Sequence, residues 1–296
     1  MLWLAATLFA AATAMHRPQP EVLFAIRDDS EIRDRLAIEP IAMVTKAPGT
    51  CAGCWALAFD QPPRGERGNE DAREFAASYY RPGRMYRVLA GGAEVGTAKV
   101  ENETSLGCVS LAARVDVTPP RSQRDPSRLR VLAIGSLSVA PQKPVRRNLT
   151  DAEEKAMWRL ARRELRKRHV SASLFKGLEG WNFISADLNH DGRRDVIGSF
   201  EVNEEKARIK HRLFLIAMGD DAGGYRADYV WYFRFLESVD EGSTETIELV
   251  DTIDLDEDGI DEVIVSDRGY EGNEYEILKR VGGKWREVYG GGGSGC

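Results

Sequence analysis

Asp254-Leu-Asp256-Glu-Asp258-Gly259-Ile260-Asp261-Glu262 puts oxygen-bearing side chains at positions 1, 3, 5 and 9 of a short turn, with glycine at position 6. A loop of that shape wraps a hard cation. Ca²⁺ takes roughly six to eight oxygens, from carboxylates and from a backbone carbonyl at position 7. Position 7 is Ile260, whose apolar side chain can turn inward while its carbonyl faces the ion. Gly259 permits the sharp reversal that brings that carbonyl round.

The stretch has a twin 67 residues earlier, Asp187-Leu-Asn189-His190-Asp191-Gly192-Arg193-Arg-Asp195. Both loops run straight into an apolar pair, Val196-Ile197 and Val263-Ile264. One such turn could be chance; two in register with matching flanks point to metal loops. Asp254, Asp256, Glu257, Asp258, Asp261 and Glu262 also crowd together, and such crowding repels itself unless a cation neutralises it. The first loop has three carboxylates and an asparagine, with His190, Arg193 and Arg194 close by. Ligand charge tunes affinity, so the second loop is expected to bind more tightly. The competing reading is a pair of Asp/Asn-rich hairpin turns without metal.

The flanks repeat as well. Strand patterns lead into the first loop over 181–186 and leave it over 196–202, then follow at 211–218 and 225–235, with a turn at 220–224. The second unit runs 246–253, 263–266, 275–281, a Gly282-Gly283 turn and 284–289. Each unit is a four-stranded antiparallel meander with an acidic loop after its first strand, the anatomy and length of a propeller blade.

Residues 180–290 resemble the FG-GAP family, the calcium-loop blades of integrin α-subunit propellers, and the related VCBS repeats of secreted bacterial proteins. The resemblance rests on Asp187-x-Asn189-x-Asp191-Gly192-x-x-Asp195 and Asp254-x-Asp256-x-Asp258-Gly259-x-x-Glu262, each between strands. It implies one Ca²⁺ per loop. The first would be held by Asp187, Asn189, Asp191, the carbonyl of Arg193 and Asp195. The second would be held by Asp254, Asp256, Asp258, the carbonyl of Ile260 and Glu262. An EF-hand is excluded, because it needs a bidentate glutamate at position 12, where Gly198 and Val265 stand. A closed ring takes about four to eight blades. A partial propeller completed by N-terminal strands and a compact β-sandwich therefore both stay open.

The first 14 residues are an apolar run ending in Ala12-Thr13-Ala14, which reads as a secretory signal peptide. The mature chain is expected to be secreted, periplasmic or at the cell surface, with no membrane span. Residues 15–147 read as a β-rich domain. It includes strands at 21–26, 41–45, 108–117 and 129–139, and a hairpin over 85–100 about Gly91-Gly92. A short helix is possible at 28–36, and 60–70 reads as a loop. Residues 148–170 form a basic amphipathic helix, capped by Thr150 or Asp151, with Met157, Trp158, Ala161 and Leu165 on its apolar face. Its arginines read as a solvated face that complements the helix dipole, ahead of a patch for acidic lipid, polysaccharide or nucleic acid. Residues 171–296 hold the two repeats, and the Gly290-to-Cys296 end reads as a flexible tail.

The fold class is therefore mainly β: an N-terminal β-rich region, a linking helix and two propeller-like blades with Asp-rich loops. A net charge of −6 argues against a general nucleic-acid binder. The four histidines, His16, His169, His190 and His211, make no zinc pattern, and no phosphate-cradling or dinucleotide motif is present. The sequence points to non-catalytic binding or scaffolding with structural Ca²⁺, toward a protein or carbohydrate ligand. The alternative is an exported enzyme using Cys51-x-x-Cys54 for thiol–disulfide chemistry, although that pair reads first as a structural disulfide. Cys108 and Cys296 leave the pairing open.

Overall fold

The computed structural model describes residues 20–28, 35–50, 54–65, 69–104, 111–118, 132–137, 146–236, 246–269 and 272–295. The described residues are mainly β, in three antiparallel sheets. The first contains β1 (Glu21–Asp28), β2 (Leu36–Pro48), β3 (Trp55–Asp60), β4 (Met85–Ala90), β5 (Ala93–Thr104), β6 (Ala112–Thr118) and β7 (Leu132–Ile134). Its order is β1-β7-β4-β5-β6-β2-β3, and β1 also pairs with β2. The ring therefore closes on itself as a small barrel, with β3 outside it on the far end of β2. Closure removes the open edges that make sheets aggregate.

Alternation sorts the barrel residues. Val22, Phe24 and Ile26 of β1 face inward with Tyr86, Val88, Ala98, Val100 and Val115. Helix α1 (Glu70–Tyr79) fills one end of that interior. Asn69 caps it by accepting from the Asp71 N–H, and Ala72, Phe75, Ala76 and Tyr79 make its buried stripe. Phe24 meets Phe75, Tyr80 and Tyr86 edge-on or tilted, with ring centres 4.9 to 6.4 Å apart.

The other two sheets are meanders in chain order. One holds β8 (Glu179–Ala186), β9 (Asp195–Glu204), β10 (Ile209–Gly219) and β11 (Tyr225–Leu236). The other holds β12 (Thr246–Ile253), β13 (Glu262–Arg268), β14 (Gly272–Val281) and β15 (Lys284–Gly295). The β12–β15 sheet is buried on both faces. Val250, Ile253, Ile264, Tyr275 and Ile277 pack with Leu23, Ala25, Ile41 and Leu132 on the outside of the barrel. Ile247, Leu249, Val263, Val265 and Leu278 pack with Ile197, Phe214 and Ile216 of the β8–β11 sheet. A register shift between Leu249 and Asp251 puts Ile253 on the face of Val250, opposite Ile247 and Leu249. The opposite face of the β8–β11 sheet takes helix α2 (Asp151–Lys167) through Met157, Leu160, Ala161 and Leu165. The layers thus run barrel, β12–β15, β8–β11, α2.

Polar locks join these layers. Glu39 of β2 is fully buried and accepts from Arg27 (2.7 Å) and from the Tyr275 hydroxyl (2.8 Å). Asp251 accepts from the Gly91 N–H (2.7 Å) and from Arg146 (3.0 Å), tying β12 to the barrel's β4–β5 turn. Burial pushes the Asp251 carboxyl up to about 6, although Arg146 and the backbone donors pull the other way.

Two expectations are corrected, the loose end after Gly290 and the helix at 28–36. Residues 290–295 are not a loose tail: β15 runs through Gly295 and seats on the barrel, with Tyr289 donating to the Ile41 carbonyl at 2.8 Å. Gln61 bonds Gly290 and Gly292. Gly292 and Gly293 let backbone approach backbone where a Cβ would collide. The loop expected at 60–70 is found over 61–65, and helix α1 begins at its far end, at Glu70. Leu36 belongs to a strand rather than to a helix at 28–36, and residues 29–34 lie outside those described. Trp158 lies on the apolar face of α2 as expected, half-buried and edge-on to Phe183 and Phe200, and Leu160 joins that face in the core. The signal-like N-terminus, Cys51, Cys108 and Cys296 also lie outside the described residues.

Two predictions come from this packing. Gly292 has φ +69°, and a Cβ there would strike the Ile41 and Pro40 carbonyls. Gly292→Ala should cost at least about 2 kcal/mol in urea unfolding; an unmoved midpoint would mean that β15 does not seat on β2. At the start of α2, Thr150 and Glu153 form a capping box, and Glu153 also takes a two-pronged pair from Arg147 at 2.7 and 2.8 Å. Arg147 outweighs burial and, helped by Thr150, holds the Glu153 carboxyl down to about 2 from its ordinary 4.5. A depressed acid stabilises the fold above its unfolded pKa and loses that contribution as pH falls through its folded one. Wild type should exceed Glu153→Gln by about 2–3 kcal/mol at pH 7, after allowance for the partly exposed Arg147. The gap should close between about pH 4.5 and 2; a gap that does not change with pH would contradict it.

Candidate metal centre

The two acidic loops fold alike, residue for residue. Asp254 accepts from the Asp258 N–H (3.1 Å) and the Gly259 N–H (3.0 Å). Asp187 accepts from the Asp191 N–H (3.1 Å) and the Gly192 N–H (2.9 Å). Position 5 then accepts from the N–H at position 7: Ile260 to Asp258 and Arg193 to Asp191. Position 9 reaches back to the N–H at position 2: Leu255 to Glu262 at 2.8 Å and Leu188 to Asp195 at 2.9 Å. Gly192 and Gly259 hold φ near +85° (84° and 86°), the left-handed region that glycine enters freely. His190 and Glu257 at position 4 are left-handed in both loops. Leu188 and Leu255 are fully buried, pinning each loop to the core.

This framework aims side-chain oxygens at one point in the second loop. Ligand oxygens of Asp254, Asp256 and Glu262 lie within 4.8 Å of one another, and all three residues are buried. They are the one such group of three among the described residues. Oδ1 of Asp256 is buried without a hydrogen-bond partner. Asp258 borders the group at the surface. An all-oxygen, carboxylate-rich set suits a hard divalent ion and not a soft one. A metal there would be held by Asp254, Asp256, Asp258 and Glu262, with the Ile260 carbonyl at position 7. It would neutralise charge that burial makes expensive.

The electrostatics register that expense. Burial pushes Glu262 up to about 8, Asp256 adds to the rise, and Lys279 opposes it. Burial likewise raises Asp254, with Asp258 and Asp256 adding to it. Lys279 of β14 donates to Asp256 (2.7 Å), Asp258 (2.8 Å) and Glu262 (2.8 Å). Burial works against its charge, but Glu262, Asp256 and Asp258 outweigh that and hold its ammonium above its ordinary value.

The first loop gathers less. Asp195 is buried and lifted to about 6 by that burial, with Asp191 and Asp187 adding to the rise. Asp191 is exposed and turned toward Asn189 and Arg193, and Arg193 also pairs with Asp221. Oδ1 of Asn189 is buried without a hydrogen-bond partner.

The loops also meet. The Asp261 N–H donates to the Leu188 carbonyl at 2.7 Å, and His190 Nε2 lies 2.9 Å from Asp261 Oδ1. His190 therefore links the first loop to the second. On the other side, the Trp55 N–H donates to the Asp256 carbonyl at 2.8 Å, and Lys46 pairs with Glu257 at 3.5 Å. The second loop thus sits where barrel, third sheet and first loop converge. Lys279, His190 and Trp55 are the participants that loop spacing alone does not reveal. Of the Cys51/Cys54 pair, only Cys54 lies among the described residues. Cys54 is disulfide-bonded, and β3 follows it where a redox motif needs a helix.

Asp254 and Asp256 should part company when mutated. In chelator, Asp254→Ala strips two loop N–H groups of their acceptor and should cost about 1–3 kcal/mol. Asp256→Ala removes one of three Lys279 partners and some repulsion, and should stay within about 1 kcal/mol. Urea unfolding in chelator separates them; equal costs would contradict this division of labour.

No family model matches the chain, and neither a curated protein nor a solved structure is significantly similar to it, so the chemistry of the centre rests on its own residues.

Proposed function

We propose that this is an exported calcium-binding protein that works by binding or scaffolding rather than by catalysis, related to the FG-GAP and VCBS calcium-loop repeats. The observation that carries the reading is the second loop. Three buried carboxylates converge, one of their oxygens lacks a partner, and the surrounding backbone is already bonded into the turn a hard cation requires. The β8–β11 and β12–β15 meanders are two propeller-type blades stacked face to face, each with its calcium loop after the first strand. The ion's role is structural. At the convergence of three layers it replaces mutual repulsion among carboxylates with shared attraction, and binding free energy becomes folding free energy. The signal-like N-terminus supports export, where calcium is abundant. The partner class is a protein or carbohydrate.

Calorimetric Ca²⁺ titration of the full chain tests this. Two events are expected, the tighter lost in Asp256→Ala and the weaker in Asn189→Ala. At Ca²⁺ about a hundredfold above Kd, the fold should gain about 2.7 kcal/mol. A heat-free titration, with melting identical in Ca²⁺ and in chelator, would refute the reading.

A further inference from the structure

An ammonium ion has three donors, and Lys279 places all three on the second loop, at 2.7, 2.8 and 2.8 Å from Asp256, Asp258 and Glu262. Those are three of the four carboxylates that would ligate a metal. A divalent ion bonded to the same oxygens at roughly 2.3–2.6 Å leaves neither space nor favourable potential for a second cation among them. We propose that Lys279 is the resident cation of this loop and that a divalent ion binds by displacing it. The inference rests on the calcium reading and sharpens it: the centre is an exchange point that responds to Ca²⁺, not a permanently loaded staple.

Three observations support exchange. The loop backbone is held by Asp254 and Glu262 through N–H groups, independently of Lys279, so the turn survives its departure. The Lys279 side chain keeps about a fifth of its surface exposed (21%), which gives the ammonium a route to solvent without rearrangement of β14. And a single positive charge underfills the site. Lys279 bonds one oxygen of Asp256 and leaves the other buried without a partner. It makes no bond to Asp254, whose oxygens are taken by the loop backbone. A divalent ion with roughly six to eight coordination positions can use what three donors leave. The first loop lacks this device. Its cation, Arg193, comes from position 7 of the loop itself and turns outward to Asp191 and the exposed Asp221.

Two measurements decide. In wild type, lysine acetylation read by mass spectrometry should show Lys279 protected in chelator and several-fold more reactive in Ca²⁺. In calorimetry, with the first loop silenced by Asn189→Ala, Lys279→Met should bind Ca²⁺ roughly tenfold or more tightly than its parent, the scale of one screened unit charge. Lys279→Arg, which keeps the competing charge, should stay near the parent. Ca²⁺ binding with unchanged Lys279 labelling, or with unchanged affinity in Lys279→Met, would overturn exchange and leave the calcium reading standing. No Ca²⁺ binding by wild type would overturn both. If Lys279→Met does not fold, the labelling result on wild type decides alone.

Discussion

Four carboxylates are buried at one turn: Asp254, Asp256, Asp261 and Glu262 are each at most 8% exposed. Taking even one carboxylate out of water costs several kcal/mol unless a counter-charge or donors meet it. Much of the surrounding structure answers that demand. Backbone N–H groups point at Asp254 and Glu262, His190 reaches across to Asp261, and Lys279 spans the mouth. The carboxyls that remain raised, Glu262 and Asp254, are those for which these partners do not fully offset burial.

The position of that turn gives it consequence. The β12–β15 sheet is buried between the barrel and the β8–β11 sheet, so its apolar residues hold both neighbours. Those contacts are non-directional and fix no register. Directionality comes from buried polar locks: Glu39 with Tyr275, Asp251 with Gly91 and Arg146, Ser199 with the Ile247 carbonyl, and the loop itself with Leu188 and Trp55. A cation that tightened the second loop would therefore act on barrel and sheets together.

Much of this was legible in the residues. The twin loops, the order of strands in both meanders, the Gly91-Gly92 hairpin and the Thr150 cap follow from local rules whose partners lie within a few residues. What escaped depends on distant partners. The barrel closes because β2 pairs at once with β1 and β6 while also carrying β3, and no alternation pattern within Leu36–Pro48 announces three partners. Helix α1 follows a Pro- and Gly-rich stretch and is mostly polar, so its short apolar stripe gains meaning only against the barrel interior. Lys279 lies on β14 and enters the centre through strand pairing. Glu39 left one trace, a carboxylate inside an otherwise apolar run, which marks a buried lock without naming its partner. The glycine run at the end misled because glycine marks close backbone approach as readily as freedom.

The central claim is that the carboxylates of the second loop are arranged for a divalent ion. Anomalous diffraction from crystals of the full chain grown in calcium tests it most directly. The account predicts a peak bounded by Asp254, Asp256, Asp258, Glu262 and the Ile260 carbonyl, with the Lys279 ammonium moved away. Lys279 still seated on those oxygens, with no peak among them in saturating calcium, would contradict it.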